Sequence, residues 1–137
     1  MMKQHTSRRA LQCVMAVSAC APLLSGILGL SGIYNPILLE KPPENLILDS
    51  NLRFLNAMCV AVGLAFYFVI PVIEKETLAC RIICFAVFFG GLGRVISIVD
   101  LGTPPVIFIY FLILELSLPI LIIVWQMRVA RAAQIND

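Results

Sequence analysis

Charged residues are scarce in this chain. Asp, Glu, Lys and Arg make up 13% of its 137 residues, whereas 61% are hydrophobic. A soluble domain is usually about a quarter charged and about half apolar. The composition therefore argues against a free-standing soluble enzyme and a disordered chain. The formal net charge of +2 provides no basic surface for phosphate backbones, so we expect no nucleic-acid partner. The sequence predicts a small membrane protein whose surroundings are the lipid bilayer.

Histidine and closely spaced cysteine pairs are almost missing. His5 is the only histidine, which leaves no basis for a haem held by two histidines of one chain, a histidine zinc site or a histidine-based triad. The five cysteines lie in apolar runs and form no Cys-x-x-Cys motif. Neither a disulfide framework nor a thiol-exchange centre is indicated. We expect no cofactor, no metal and no catalytic residue.

Long apolar stretches are what the chain has instead. Four of them carry few or no charges, and they cover residues 10–30, 52–72, 78–99 and 105–124. About 20 apolar residues are enough to cross a hydrocarbon core as a helix, and a helix satisfies its own backbone hydrogen bonds in lipid. We predict an all-α fold, an antiparallel four-transmembrane-helix bundle that forms a single domain over residues 1–137. Residues 31–49 form its one sizeable loop.

Capping residues and prolines suggest where the helices begin and end. Asp49 or Ser50 is expected to cap the second helix, and Pro71 falls where that helix should end. Thr103 is expected to cap the fourth helix, with Pro104 at its first position.

The positive charges are divided unequally between the two ends of the bundle. Only Lys41 and Arg53 belong to the loop end. The opposite end carries Lys3, Arg8, Arg9, Lys75, Arg81, Arg128 and Arg131. The positive-inside rule then predicts that both termini are cytoplasmic and that the loop faces outward. Residues 7–20 also resemble a cleavable signal, but the apolar run continues past Cys20, so we expect this span to be retained.

Two charges are expected to lie at membrane depth, where a lone charge costs at least about 2.5 kcal/mol. Arg94 is near the loop end of the third helix, and Glu115 is at the middle of the fourth. Helical side chains lean toward the N-terminus of their own helix. Because the two helices are antiparallel, Arg94 and Glu115 lean toward each other, and we predict a buried ion pair between them.

Further polar residues are expected beside this pair. Asp49, Arg53 and Asn56 share one face of the second helix, and Asp100 lies at the loop end of the third. We predict that these residues join Arg94 and Glu115 in one polar cluster in the loop-end half of the bundle. Two arginines in such a cluster would suit an anionic guest such as a carboxylate or phosphate.

Three motifs occur in order along the chain. They are LDSNLRF at residues 48–54, FGGLGR at 89–94 and LEL at 114–116, followed by Pro119. With this spacing the chain, from about Leu11 to Arg131, resembles a bacterial four-helix membrane family catalogued as a domain of unknown function (DUF4345). The resemblance implies a multi-pass protein of the bacterial inner membrane and no particular activity. It also implies that the family's characteristic polar positions are Asp49, Arg53, Arg94 and Glu115.

Three functions are compatible with these observations. The sequence favours a non-catalytic structural or accessory membrane module whose polar cluster is architectural. A protein that binds or transports a small molecule or anion is the alternative, and it requires a cavity that reaches the cluster from the loop end. An intramembrane enzyme that uses Glu115 as acid or base lacks a nucleophile or metal set nearby. The sequence is also compatible with a second membrane protein or another copy of the chain as a partner.

Overall fold

The computed structural model describes residues 2–32 and 45–135. This part of the chain contains four long helices and no strand: α1 (Met2–Ser31), α2 (Leu46–Val69), α3 (Thr77–Leu101) and α4 (Val106–Gln134). Each helix is long and apolar enough to cross a membrane. The predicted all-α class with four potential membrane spans is therefore confirmed. Of the predicted loop, residues 33–44 lie outside the described residues, and Leu46–Asp49 belong to α2.

α2 begins earlier than its sequence suggested. Asn45, not Asp49 or Ser50, caps the helix, because its side-chain Oδ1 accepts a hydrogen bond from the backbone N–H of Leu48 at 2.8 Å. Asp49 lies in the first turn, where its negative charge complements the helix dipole. At the other end, Pro71 has no N–H for the helical ladder. The chain tightens there into a short 3-10 turn, Ile70–Val72, so the predicted end of α2 is confirmed.

α4 begins later than predicted. Pro105 occupies the position before the helix with an extended ψ of 145°, and no side chain caps it. The expectation that Thr103 caps the helix with Pro104 at its first position is wrong. A proline disfavours the helical conformation of the residue before it, so Pro105 prevents Pro104 from being the first helical residue.

The four helices pair as two hairpins, α1 with α2 and α3 with α4, which have the most extensive contacts in the bundle. Glycines allow the close approach within each hairpin. A Cβ added to Gly63 of α2 would lie 2.8 Å from the Cβ of Leu23 in α1. In the second hairpin, a Cβ at Gly91 would lie 2.8 Å from a methyl group of Leu116. Small residues are the usual way for helices to pack closely in lipid, which provides no hydrophobic drive for association.

The two ends of the bundle are packed differently. We call residues 2–21, 62–90 and 117–135 the terminal half, and residues 22–32, 45–61 and 91–116 the loop half. Within the described chain, all buried hydrophobic side chains lie in the terminal half: Leu11, Met15, Ala19, Phe66, Val69, Ile73, Cys80, Ile83, Cys84, Ile122, Val129 and Ala130.

One face of α2 shows how the hairpins separate. Residues 48, 52, 55, 59, 62, 66, 69 and 73 recur at spacings of four and three and so share this face. On it, Phe66 in the terminal half is 3% exposed, whereas Leu55 in the loop half is 57% exposed. The second hairpin therefore covers this face near the chain termini and leaves it open toward the loop end.

Polar contacts reinforce the closed terminal half. The buried Gln126 of α4 donates from Nε2 to the carbonyl oxygen of Ile73 and to the hydroxyl of Thr77, both at 2.9 Å. The indole N–H of Trp125 donates to the Ser7 hydroxyl at 2.9 Å. These contacts tie α4 to α1 and to the α2–α3 connection.

Candidate functional site

Arg94 and Glu115 meet as predicted. Arg94 Nε of α3 donates to Glu115 Oε2 of α4 at 2.7 Å. The helices are close here because Gly91 packs against Glu115 Cβ as well as Leu116. The opposite leans of the two side chains, which follow from the antiparallel helices, account for this contact. The predicted Arg94–Glu115 pair is therefore present at the level where the hairpins begin to separate.

The predicted burial of this pair is not supported. The Arg94 side chain is 41% exposed and that of Glu115 is 25% exposed. The pair would be buried in a bundle packed along its whole length, whereas the buried hydrophobic side chains of the described residues lie in the terminal half. The pair is thus accessible from outside the protein.

Asp49 and Arg53 form a second, separate ion pair. Arg53 Nε donates to Asp49 Oδ2 at 2.8 Å, one helical turn away on α2, and Arg53 Nη1 donates to the Leu30 carbonyl oxygen of α1 at 2.8 Å. This guanidinium therefore serves the last turn of α1, whose final carbonyls have no helical partner. The prediction that Arg53 and Asp49 join Arg94 in one cluster is not supported, because each arginine is engaged within its own hairpin.

Asn56 and Asp100 also lie apart from the ion pair on α3 and α4. Asn56 is half-buried against Gly29 of α1, so it belongs to the packing of the first hairpin. Asp100 is exposed at the end of α3 and has no ion-pair partner among the described residues. The six predicted residues are thus divided between two ion pairs, a packing contact and an exposed end. The predicted shared face of Asp49 and Arg53 is consistent with their ion pair, but it does not bring them to Arg94 and Glu115 in the second hairpin.

Four residues at the site were not anticipated. The Phe108 ring of α4 lies under Arg94, with 5.7 Å between the guanidinium carbon and the ring centroid, which is the geometry of a cation–π contact. Cys59 of α2 lies within electrostatic range of both Arg94 and Glu115. Ser97 and Pro104 line the space above the pair. Phe108 could have been found from the sequence, because it precedes Glu115 by seven residues and shares its helix face.

The open space beside Arg94 is a recess of about 230 Å³. Its lining consists of Arg94, Ser97, Ile98, Pro104 and Phe108. It is open to the outside and lies toward the loop end of α3 and α4. One charged group and one hydroxyl at an otherwise apolar recess can hold a small polar or anionic group by hydrogen bonds while apolar atoms contact the walls.

The side chains around Arg94 are suited to binding an anion. Within the part of the chain that the structure describes, no three His, Cys, Asp or Glu side chains gather to hold a metal ion. Arg94 uses Nε for Glu115, and its terminal amino groups donate no hydrogen bond to a described residue. Those groups form one side of the planar fork that binds a carboxylate or phosphate with two hydrogen bonds.

Comparison with known proteins identifies a family without revealing an activity. The family model described as a domain of unknown function (DUF4345) matches residues 10–126. No curated protein and no solved structure matches the chain significantly.

Proposed function

This chain belongs to the DUF4345 family, and because that family has no known function, we propose from the geometry that the protein is a non-catalytic membrane module that binds a small carboxylate or similar anion at Arg94. The observation that carries the proposal is the partly exposed Arg94, which borders a recess on the side where the hairpins separate.

Charge placement supports this function. A charged group that faces hydrocarbon costs at least about 2.5 kcal/mol. Arg94 and Glu115 neutralise each other through one hydrogen bond, but the remaining N–H groups of Arg94 still need polar partners. Water entering from the loop end, or an anionic ligand, would provide them. A ligand with a carboxylate would replace water with two charge-assisted hydrogen bonds.

The walls of the recess narrow the choice of ligand. Ile98, Pro104 and Phe108 are apolar, and Ser97 adds one hydroxyl near Arg94. A volume of about 230 Å³ is below the range of about 300–1,000 Å³ that is usual for drug-sized ligands. We therefore favour a carboxylate with a short apolar or aromatic body over a nucleotide or a sugar phosphate.

Glu115 has a defined part in this proposal. Its carboxylate positions Arg94 through the bond to Nε, but its negative charge opposes the entry of a second anion. Neutralising Glu115 should therefore favour anion binding, whereas removing the Arg94 charge should abolish it. Substitutions of Arg94 and Glu115 should therefore have opposite effects on anion binding. A purely structural pair would give similar effects for both, so the difference distinguishes the two roles.

The test uses para-fluorobenzoate as the probe and its neutral analogue para-fluorobenzamide, with binding to the purified protein in nanodiscs measured by fluorine NMR. We expect the benzoate to bind more tightly than the benzamide. Arg94→Gln should weaken benzoate binding at least about tenfold, since it removes hydrogen bonds to a charged group. Glu115→Gln should leave it unchanged or strengthen it.

Arg53→Gln is the matched control, because it removes the same charge and breaks an ion pair in the other hairpin. It should leave benzoate binding unchanged.

A structural module is the second candidate function, and the hydrogen bond that Arg94 and Glu115 make between α3 and α4 favours it. In that case Arg94→Gln and Glu115→Gln would destabilise the protein equally, and no variant would alter benzoate binding. That outcome would contradict the proposal.

We also infer the setting of the protein in the cell. Seven basic residues at the terminal end against two at the loop end support cytoplasmic termini by the positive-inside rule. The site would then open to the outer side of a bacterial inner membrane. The uncovered loop half also leaves room for another copy of the chain or a second membrane protein.

A further inference from the structure

A second recess lies in the terminal half, on the outside of the second hairpin. Its walls are apolar and come from both helices of that hairpin: Cys84, Phe85 and Phe88 of α3, and Pro119, Ile120 and Ile123 of α4. Its volume is about 80 Å³. Pro119 and the two branched isoleucines, set against two phenylalanine rings, form a narrow crevice that is open on the side where the bilayer lies.

Arg81 lies directly beyond the terminal end of this crevice. It precedes Cys84, Phe85 and Phe88 by three, four and seven residues, so all four share one face of α3. A helical side chain leans toward the N-terminus of its helix, which places the Arg81 head group toward the membrane surface. Along this face of α3, the Arg81 cation therefore lies near the membrane surface and the apolar crevice lies deeper in the bilayer.

The hydrogen bonding of Arg81 is incomplete. Its Nε atom is buried and has no hydrogen-bond partner in the described structure, and the side chain as a whole is half-buried. No described acidic residue forms an ion pair with it. An external phosphate cannot reach the buried Nε, but it can reach the terminal amino groups of Arg81, which donate no hydrogen bond to a described residue. A guanidinium without acceptors is costly, so an external anion is favoured at those groups.

The crevice continues toward a second basic residue. On α4, Ile123, Met127 and Arg131 are four residues apart and share one face, and Arg131 lies in the last turn. The lining residue Ile123 is thus followed, toward the membrane surface, by another cation. Two arginines above one apolar crevice match the chemistry of a phosphate joined to an acyl chain.

We propose that an anionic phospholipid binds to the outside of the second hairpin, with its phosphate at Arg81 and one acyl chain in the crevice between α3 and α4. Charge complementarity selects the head group, and the apolar walls select a lipid rather than a free phosphate. This site is independent of the recess at Arg94.

The experiment is native mass spectrometry of the full chain released from micelles containing phosphatidylglycerol or the zwitterionic phosphatidylcholine. The wild-type protein should retain phosphatidylglycerol in preference to phosphatidylcholine. Arg81→Ala should lower retention about fivefold, the factor expected for one basic residue near a membrane surface. Arg9→Ala is the matched control, because this exposed arginine lies at the same end of the bundle on α1, in the other hairpin, and it should retain the lipid as the wild type does.

A crevice variant tests the acyl chain separately. Ile120 is 54% exposed, so Ile120→Trp should fill the crevice without disturbing the core, and it should lower phosphatidylglycerol retention with Arg81 intact. Arg81→Lys keeps the positive charge but loses the paired N–H donors of the guanidinium. Its retention of phosphatidylglycerol should lie between those of the wild type and the Arg81→Ala protein. Equal retention of phosphatidylglycerol by the Arg81→Ala and Arg9→Ala proteins would overturn the proposal. So would displacement of the lipid by inorganic phosphate alone, or unchanged retention by the Ile120→Trp protein.

Discussion

The terminal half and the loop half are built from the same four helices, yet the hairpins meet closely only in the terminal half. There, the buried side chains form one core, and Gln126 and Trp125 bond across to residues outside their hairpin. In the loop half, the polar contacts stay within a hairpin, Arg53 with Leu30 and Arg94 with Glu115. The packed core and the partly exposed Arg94–Glu115 pair thus lie at opposite ends of the bundle.

This division explains how a chain of 137 residues can carry charges at membrane depth. The terminal half provides the packing that holds the helices together. The loop half leaves the terminal amino groups of Arg94 without a described hydrogen-bond partner, and under the proposed function water or an anion from the loop end binds them. A bundle packed along its entire length would have to satisfy Arg94 internally.

Truncating matched isoleucines in the two halves should have the largest effect. Ile122 and Ile113 both lie on α4, but Ile122 is 2% exposed and Ile113 is 56% exposed. Ile122→Ala should lower the free energy of unfolding by about 2 kcal/mol, the low end of the range for a core truncation, because lipid rather than water receives the exposed surface. Ile113→Ala should change it by no more than about 0.5 kcal/mol.

Denaturant unfolding in mixed micelles measures both variants under identical conditions. If both alanine variants lost the same free energy of unfolding, the loop half would be as tightly packed as the terminal half. That result would contradict the difference between the two halves.

A smaller effect is expected from acid, which should loosen the terminal half at the α2–α3 connection. Arg8 Nε of α1 donates to Glu74 Oε2 at 2.9 Å. Burial raises the pKa of Glu74, but hydrogen bonds from Arg8 and from the backbone N–H of Glu74, together with the charges of Arg8 and Lys75, outweigh it and hold the pKa below its ordinary value. The ionised carboxylate therefore stabilises the fold above the unfolded pKa of about 4.3, and this contribution is lost as the pH falls through the lower, folded value.

The expected loss is less than about 1 kcal/mol, because the pair is partly solvated. It is measured as the change in unfolding free energy between about pH 6 and about pH 3. Arg8→Gln should make this pH dependence weaker, since the Glu74 carboxyl then keeps a pKa nearer its ordinary value. An identical pH dependence in the Arg8→Gln protein would show that the contact contributes nothing.

Much of the fold could be predicted because it depends on local chemistry. Long uncharged runs dictated the helices, and the lean of side chains in antiparallel helices brought Arg94 to Glu115. The start of α4 could also be predicted from local chemistry, because Pro105 disfavours a helical conformation at Pro104 and so excludes Pro104 as the first helical residue.

The separation of the hairpins could not be predicted in this way. The face of α2 defined above is apolar at each position from Leu48 to Phe66, so nothing in its pattern indicates where the second hairpin stops covering it. In a soluble protein, exposed positions would be polar, but lipid accepts the same residues as a core does. The predicted six-residue cluster failed for this reason, since it assumed that residues at one depth are also neighbours.

The central claim, that water reaches the level of Arg94 and Glu115 but not the terminal half, is tested most directly by the native thiols. Cys59 is half-buried and within electrostatic range of Arg94 and Glu115, whereas Cys80 and Cys84 are fully buried in the core. The protein in nanodiscs is treated with a charged, water-soluble methanethiosulfonate, and modification of each cysteine is read by peptide mass spectrometry. We predict that Cys59 is modified, that Cys80 and Cys84 are not, and that para-fluorobenzoate slows the reaction at Cys59. Protection of Cys59 to the same extent as Cys84 would contradict the account.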